Sequence, residues 1–272
     1  MVAASSIPGW KRGDGLLLVL TGAGISAESG IPTFRGAEGY WKVGSRNYRP
    51  MELATHEAFV AAPDDVWGWY LYRRAACRAA RPNAAHLALA ELERALGGDF
   101  LLVTQNVDGL HLRAGNTPER TYQIHGNIDF MRCSLECTAA LAPIPSSFDF
   151  WEKGRSPSAA EKALLVCERC GAPSRPHVLW FDESYDEPRF RFTSSLAAID
   201  RASMLVVVGT SGQTNLPNQI CGVAARRRIP FVVVDPEPTP FSELALRVGG
   251  TFLRGAASDH VPKLATALVA PA

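Results

Sequence analysis

Four short runs of leucine and β-branched residues punctuate the chain, at positions 16–20, 100–103, 205–208 and 231–234. They are apolar throughout rather than at alternate positions, and each gives way to small or polar residues. A strand with that pattern is covered on both faces, the condition of a parallel sheet whose crossovers are helices. The segment 82–96 predicts one such helix, with its apolar residues on one side and Asn83 near its start. Two stretches, about 34–78 and about 128–175, break the rhythm and are expected to form a second, smaller lobe. Within the second, the proline- and serine-bearing segment 139–158 reads mostly as loop.

At 272 residues the chain suffices for one large α/β unit with an appended lobe. Its 28 Lys plus Arg nearly cancel 27 Asp plus Glu, which argues against a global attraction to nucleic acid or an anionic membrane. No nucleic-acid partner is expected, and any partner must be recognised at a local site. The run Arg226-Arg227-Arg228 closes an alanine-rich helical segment, where the helix dipole favours solvated cations. No apolar run approaches the roughly 18 residues of a membrane span, and the first residues carry no apolar stretch of the kind a secretion signal uses. A cytoplasmic location is expected. In that reducing setting the six cysteines point to metal before disulfides. Cys133 with Cys137 and Cys167 with Cys170 form two close pairs, enough for one tetrahedral zinc with no open position, hence a structural site. Cys77 and Cys221 are expected to be buried as small apolar groups.

The first chemical signal is Thr21-Gly22-Ala23-Gly24-Ile25-Ser26, directly after the first apolar run and opening towards a helix. Glycines there let backbone amides approach a pyrophosphate. A dehydrogenase-type fingerprint would continue with a glycine at Ala27 and an acidic residue about 20 positions on, and neither is present. Gln105, Asn106 and Asp108 follow the second run, at the strand edge where open α/β sheets hold ligands. Asp108 could accept from a carboxamide and Asn106 could bridge a ribose or a water; as turn formers the same residues could satisfy themselves. His125 is the candidate general base, since histidine titrates near neutrality; a lone His before Gly is otherwise an ordinary turn or core residue. Gly209-Thr210-Ser211 offers backbone and hydroxyl donors after the third run. Asp235, after the fourth, can accept from ribose hydroxyls and would repel a 2′-phosphate, favouring NAD over NADP.

These segments, together with Ser29-Gly30-Ile31-Pro32-Thr33-Phe34-Arg35-Gly36, Thr104-Gln105-Asn106-Val107-Asp108-Gly109-Leu110-His111, His125-Gly126 and Arg175-Pro176-His177-Val178 with Trp180-Phe181, resemble the sirtuin family in order across about 16–255. The resemblance implies an α/β fold. A Rossmann-like parallel-sheet lobe would comprise about 14–34, 80–127 and 176–272, and a smaller zinc-binding and helical lobe about 35–79 and 128–175. It implies NAD as co-substrate, held by Gly22, Ala23, Gly24, Thr33, Phe34, Arg35, Gln105, Asp108, Gly209, Thr210, Ser211 and Asp235, with His125 and Asn106 catalytic. Asp235 stands where the family more often has Asn, a change consistent with the same task. His177, Val178, Trp180 and Phe181 would meet an acyl-lysine protein or peptide. In the implied reaction the acyl oxygen attacks the anomeric carbon as nicotinamide leaves. His125 then activates a ribose hydroxyl, Phe34 shields the sugar, and water resolves the product to free lysine and O-acyl-ADP-ribose.

A finer resemblance, through Phe34-Arg35-Gly36-Ala37, Gly39-Tyr40-Trp41, Trp69-Tyr70-Leu71-Tyr72-Arg73-Arg74 and Pro82-Asn83-Ala84-Ala85-His86, is to the sirtuin branch that removes succinyl, malonyl and glutaryl groups. There a Tyr and an Arg three residues later bind the acyl carboxylate, here Tyr70 and Arg73, one helical turn apart. Two departures bear on peptide binding: Asp182 within Phe181-Asp182-Glu183, and Thr214-Asn215-Leu216-Pro217-Asn218 after Ser211. ADP-ribosyl transfer, NAD hydrolysis and a non-catalytic NAD sensor remain as alternatives, and no oligomeric state follows from the sequence.

Overall fold

The computed structural model describes residues 10, 13–31, 41–43, 46–48 and 50–270. Its strands, in chain order, are β1 (Leu16–Thr21), β2 (Trp41–Val43), β3 (Arg46–Tyr48), β4 (Phe100–Thr104), β5 (Thr121–Gln123), β6 (Gly126–Cys133), β7 (Ala142–Pro143), β8 (Ser174–Val178), β9 (Ala202–Val208), β10 (Phe231–Asp235) and β11 (Thr251–Arg254). Six of them form one parallel sheet in the order β11-β10-β9-β1-β4-β5. The four apolar runs are its inner strands.

Strand pleating explains why those runs are apolar throughout. Leu17 and Val19 of β1 join one core cluster with Val206, Val232 and the helices Ala84–Leu96 and Ala257–Val269. Leu18 and Leu20 point to the opposite face, against Val207, Val233 and the helices Phe192–Arg201 and Asn215–Arg226. Both faces are therefore dry, and each fully buried Leu or Val contributes roughly 1.5–3 kcal/mol. The predicted helix at 82–96 forms as Ala84–Leu96. Asn83 is its N-cap, accepting from the Ala85 and His86 amides, and the His86 ring closes a capping box.

The segment after Gly22 coils as a 3₁₀ helix, Ala23–Ser29. The tighter coil brings its backbone against the end of β9: a Cβ on Gly24 would lie 2.6 Å from the Gly209 Cα. Here glycine is required by close approach.

A three-stranded antiparallel sheet, β7-β6-β8, continues directly from the end of β5. It packs with the helix Pro63–Ala79 around a second apolar cluster that includes Trp67, Trp69, Leu71, Ile128, Met131, Phe148, Trp151 and Trp180. Arg74, buried on that helix, pairs with Asp129 at 3.1 Å and Asp149 at 2.9 Å, which ties the helix to β6 and the following loop. The 139–158 segment holds only β7 and the single 3₁₀ turn Ser146–Phe148 besides loop. Among the described residues no helix is long and apolar enough to cross a membrane.

Candidate active site

Because β1, β4, β5, β9 and β10 are parallel, their carboxyl ends share one edge, and the polar residues that follow them converge there. Gln105, after β4, bridges three elements. Its Nε2 donates to Thr210 Oγ1 at 2.6 Å and to the Thr21 carbonyl at 3.3 Å, and its Oε1 accepts from Thr214 at 2.7 Å. Asn106 Nδ2 donates to the Gly22 carbonyl at 3.0 Å and meets the Ser26 hydroxyl at 3.1 Å. Ser26 in turn donates to Asp108 at 2.7 Å. Burial pushes the Asp108 carboxyl above its ordinary pKa, opposed by the Leu110 amide and the Ser26 hydroxyl.

The histidines lie beneath this chain. The His86 ring is 3.4 Å from Ser26 Oγ and packs on His111, whose Nε2 is 3.0 Å from Thr21 Oγ1. Burial lowers the pKa of His86 to about 4 and of His111 well below its usual value, so both rings are neutral at physiological pH. His125, at the junction of β5 and β6, is also lowered to about 4, by burial against the opposing effect of a hydrogen bond with the Gln105 backbone. Its Nε2 lies 2.8 Å from the Tyr185 hydroxyl. A neutral imidazole can accept a proton, the first requirement of a base.

Gly22, Ala23 and Gly24 line the loop facing Gly209 and Thr210, and Ser211 is exposed beside them. Asp235 ends β10 half-buried; burial raises its pKa while the Glu237 amide bonds it at 3.1 Å. Thr33, Phe34 and Arg35 lie outside the described residues.

The opposite wall comes from β8 and the segment after it. Trp180 is buried, donates from Nε1 to the Tyr70 hydroxyl at 2.9 Å, and carries the Arg175 guanidinium 3.3 Å above its ring centre. Burial raises the Tyr70 pKa, keeping the phenol protonated. Arg73, one turn on, sits 5.3 Å from the Trp69 ring centre. Glu183 binds Arg175, Arg132 and the Trp180 amide; although burial opposes ionisation, these partners hold its pKa below the usual carboxylate value. His177 is buried and stacks on Phe190, Val178 pairs with Gly126, and Phe181 is exposed while its amide donates to the Ala54 carbonyl.

Both departures have bonded roles. Asp182 accepts from the His56 and Glu57 amides at 2.8 and 3.1 Å, at the start of the helix His56–Ala61. Thr214 precedes Asn215–Arg226 as its N-cap residue and, through its bond to Gln105, joins that helix to the cleft.

The four cysteine sulfurs lie within 4.8 Å of one another, with Cys133–Cys170 at 3.6 Å and Cys137–Cys167 at 3.5 Å. Ligands about 2.3 Å from a tetrahedral zinc stand about 3.8 Å apart, so the set fits one zinc with little movement. The turn that presents Cys167 and Cys170 is closed by the Cys167 amide to Ala172 at 2.7 Å and the Gly171 amide to Cys167 at 2.8 Å. Cys77 and Cys221 are buried, and burial raises both thiol pKa values, Cys77 to about 12. Neither is set up as a nucleophile.

Ser26, His86, His111, Tyr185 and Glu183 were not singled out from the sequence as site residues. Ser26 and His111 lie inside the quoted motifs and Glu183 beside the Asp182 departure, without a role of their own there; Tyr185 is joined to the site only by folding.

The fold and site define a doubly covered α/β protein with a polar cleft at the carboxyl edge of its sheet and a four-cysteine module. Residues 22–215 match the model of the Sir2 family. A Leptospira interrogans NAD-dependent protein deacylase is 40% identical over 245 residues, covering 90% of this chain and 89% of the relative. A Thermus thermophilus NAD-dependent protein deacylase is 43% identical over 237 residues, covering 85% and 84%. Among solved structures, a Sir2 homologue–NAD complex superposes with a TM-score of 0.76 at 34% identity, covering 93% of this chain and 89% of that one. A Sir2–p53 peptide–NAD⁺ structure gives 0.72 at 25% identity, covering 92% and 91%. The chain belongs to the Sir2 family.

Proposed function

We propose that this chain is an NAD-dependent protein-lysine deacylase that prefers succinyl- and malonyl-lysine to acetyl-lysine. The observation that carries the reading is the convergence, at one sheet edge, of Gln105, Asn106 and Asp108 with the neutral base His125. NAD supplies a glycosidic bond whose cleavage releases nicotinamide and leaves a ribose to receive the acyl group.

The chain's own groups divide the remaining work. The glycine loop of Gly22, Ala23 and Gly24, with Gly209, Thr210 and Ser211, presents amides and hydroxyls to the diphosphate side. Asp235 accepts from the adenosine ribose, and Thr33, Phe34 and Arg35 complete the nucleotide site. Asn106 and Asp108 face the nicotinamide end, oriented by Ser26. His125 takes the proton of a ribose hydroxyl once the nucleotide is seated. His177, Val178, Trp180 and Phe181 form the wall along which an acyl-lysine peptide lies.

The acyl preference rests on Tyr70 and Arg73. The Tyr70 oxygen accepts from Trp180, leaving its own proton to donate to a carboxylate. Arg73 brings a guanidinium within one turn, and Arg with Tyr can match the two oxygens of a carboxylate.

Mass spectrometry of an acylated lysine peptide incubated with protein and NAD tests the reaction class. Deacylation predicts loss of the acyl mass with one nicotinamide released per peptide. A gain of ADP-ribose would instead indicate a transferase, and nicotinamide release with an unchanged peptide an NAD hydrolase.

A further inference from the structure

An imidazole that serves as a base must have one nitrogen free to accept. The His125 ring nitrogen with a side-chain partner is Nε2, 2.8 Å from the Tyr185 hydroxyl, and a base that uses Nε2 carries its ring proton on Nδ1. Burial pushes the Tyr185 pKa to about 12, so the phenol is protonated and donates. The nitrogen that must receive a ribose proton already holds a hydroxyl of this chain.

Tyr185 is not a loose side chain that drifted into the site. Its ring stacks on Phe192 with centroids 6.0 Å apart and packs against the apolar cluster on one face of the large sheet. On one side of it in sequence, the Glu183 carboxylate is bound by Arg175 and the Trp180 amide. On the other, Asp186 caps the turn Glu187–Phe190 by accepting from the Arg189 amide at 2.7 Å. A short span anchored at both ends thus aims a phenol at the base.

We propose that Tyr185 is a built-in occupant of the base: its hydroxyl holds the place on His125 Nε2 where a ribose hydroxyl docks, and the nucleotide displaces it on binding. This rests on the reading of His125 as the base that meets the ribose. A nucleotide that must break an internal hydrogen bond binds more weakly by the equilibrium constant of that bond. For a neutral pair the weakening is roughly 2- to 10-fold. In the free protein the same bond holds His125 in the tautomer that can act as a base.

The test is a double-mutant cycle read by calorimetric titration with ADP-ribose, which needs no turnover. Tyr185→Phe keeps the ring and removes the hydroxyl, so ADP-ribose should bind roughly 2- to 10-fold more tightly than to the unaltered protein. In a His125→Ala background the same change should have no effect, because the bond it releases is already gone. Unchanged or weaker binding by Tyr185→Phe overturns the proposal. So does equal tightening in both backgrounds, which would mean that the phenol only obstructs the site by its bulk. If Tyr185→Phe does not fold, Tyr185→Leu carries the same cycle. Full deacylation by His125→Ala would remove the base reading itself, a separate result from any outcome of the ADP-ribose cycle.

Discussion

On the sheet side of the cleft, side chains are fixed by short hydrogen bonds among the segments that follow β1, β4 and β9: Gln105 to Thr210, Asn106 to Gly22, Ser26 to Asp108. On the side of β8 they are fixed by charges and rings, some close in sequence and some far apart: Arg175 over Trp180, Trp180 on Tyr70, Glu183 between Arg175 and Arg132. The first arrangement follows from the parallel sheet and can change little without breaking backbone contacts. The second depends on lobe packing, so its residues can be exchanged while the sheet edge stays intact. Cofactor chemistry is expected to reside in the first and acyl selectivity in the second.

The largest effect should come from the four-cysteine module, which joins the end of β6 to the turn before β8. Structural zinc contributes about 10–16 kcal/mol in small zinc-dependent folds, so Cys167→Ser should leave the protein aggregated or without a cooperative melt. Metal analysis should find one zinc per chain, and active protein without zinc would break this part of the account.

Acid should act next, and mainly on the sheet side. His86 and His125 in the cleft and His177 in β8 are lowered from 6.5 to about 4, each chiefly by burial, and burial lowers His111 as well. As pH falls below about 6.5 the unfolded chain takes up protons that the folded chain refuses. Stability should therefore decline between about 6.5 and 4, by about 1.4 kcal/mol per pH unit for each such histidine. Asp108 and Asp235, raised by burial, oppose this lower in the range. A melting temperature that stays level from pH 7 to pH 5 would show that these rings are not buried neutral.

His125→Ala should slow deacylation by roughly 10²- to 10⁴-fold, the usual worth of a positioned base. Formation of deacylated peptide in single-turnover experiments reports the step, since nicotinamide leaves before His125 acts, and calorimetry should find NAD binding changed far less than the rate. Equal losses of binding and rate would move His125 from proton transfer to nucleotide positioning.

The same contrast explains what could be read before folding. The inner strands were legible because burial on both faces leaves a continuous apolar run. The edge strands β5 and β11 were not: Thr121–Gln123 and Thr251–Arg254 are short, mixed in polarity and paired on one side only. Gln105, Asn106 and Asp108 stood out because they are contiguous at a strand end. Tyr185 and His125 lie 60 positions apart, as do Ser26 and His86, and no local pattern joins either pair. Asp182 and Thr214 read as departures from a family pattern, and only packing gave them partners, the amides of His56 and Glu57 and the carboxamide of Gln105.

A competition between equimolar succinyl- and acetyl-lysine peptides, followed by mass spectrometry for the unaltered protein and for Arg73→Met, tests the division of labour most directly. Leaving a buried carboxylate without its partner costs about 2–5 kcal/mol, so desuccinylation should fall roughly 30-fold or more. Deacetylation should be spared or improved, because the sheet side is untouched. Preference for acetyl-lysine by the unaltered protein, or equal loss of both reactions in Arg73→Met, would contradict the account and leave Tyr70 and Arg73 as structural residues of the small lobe.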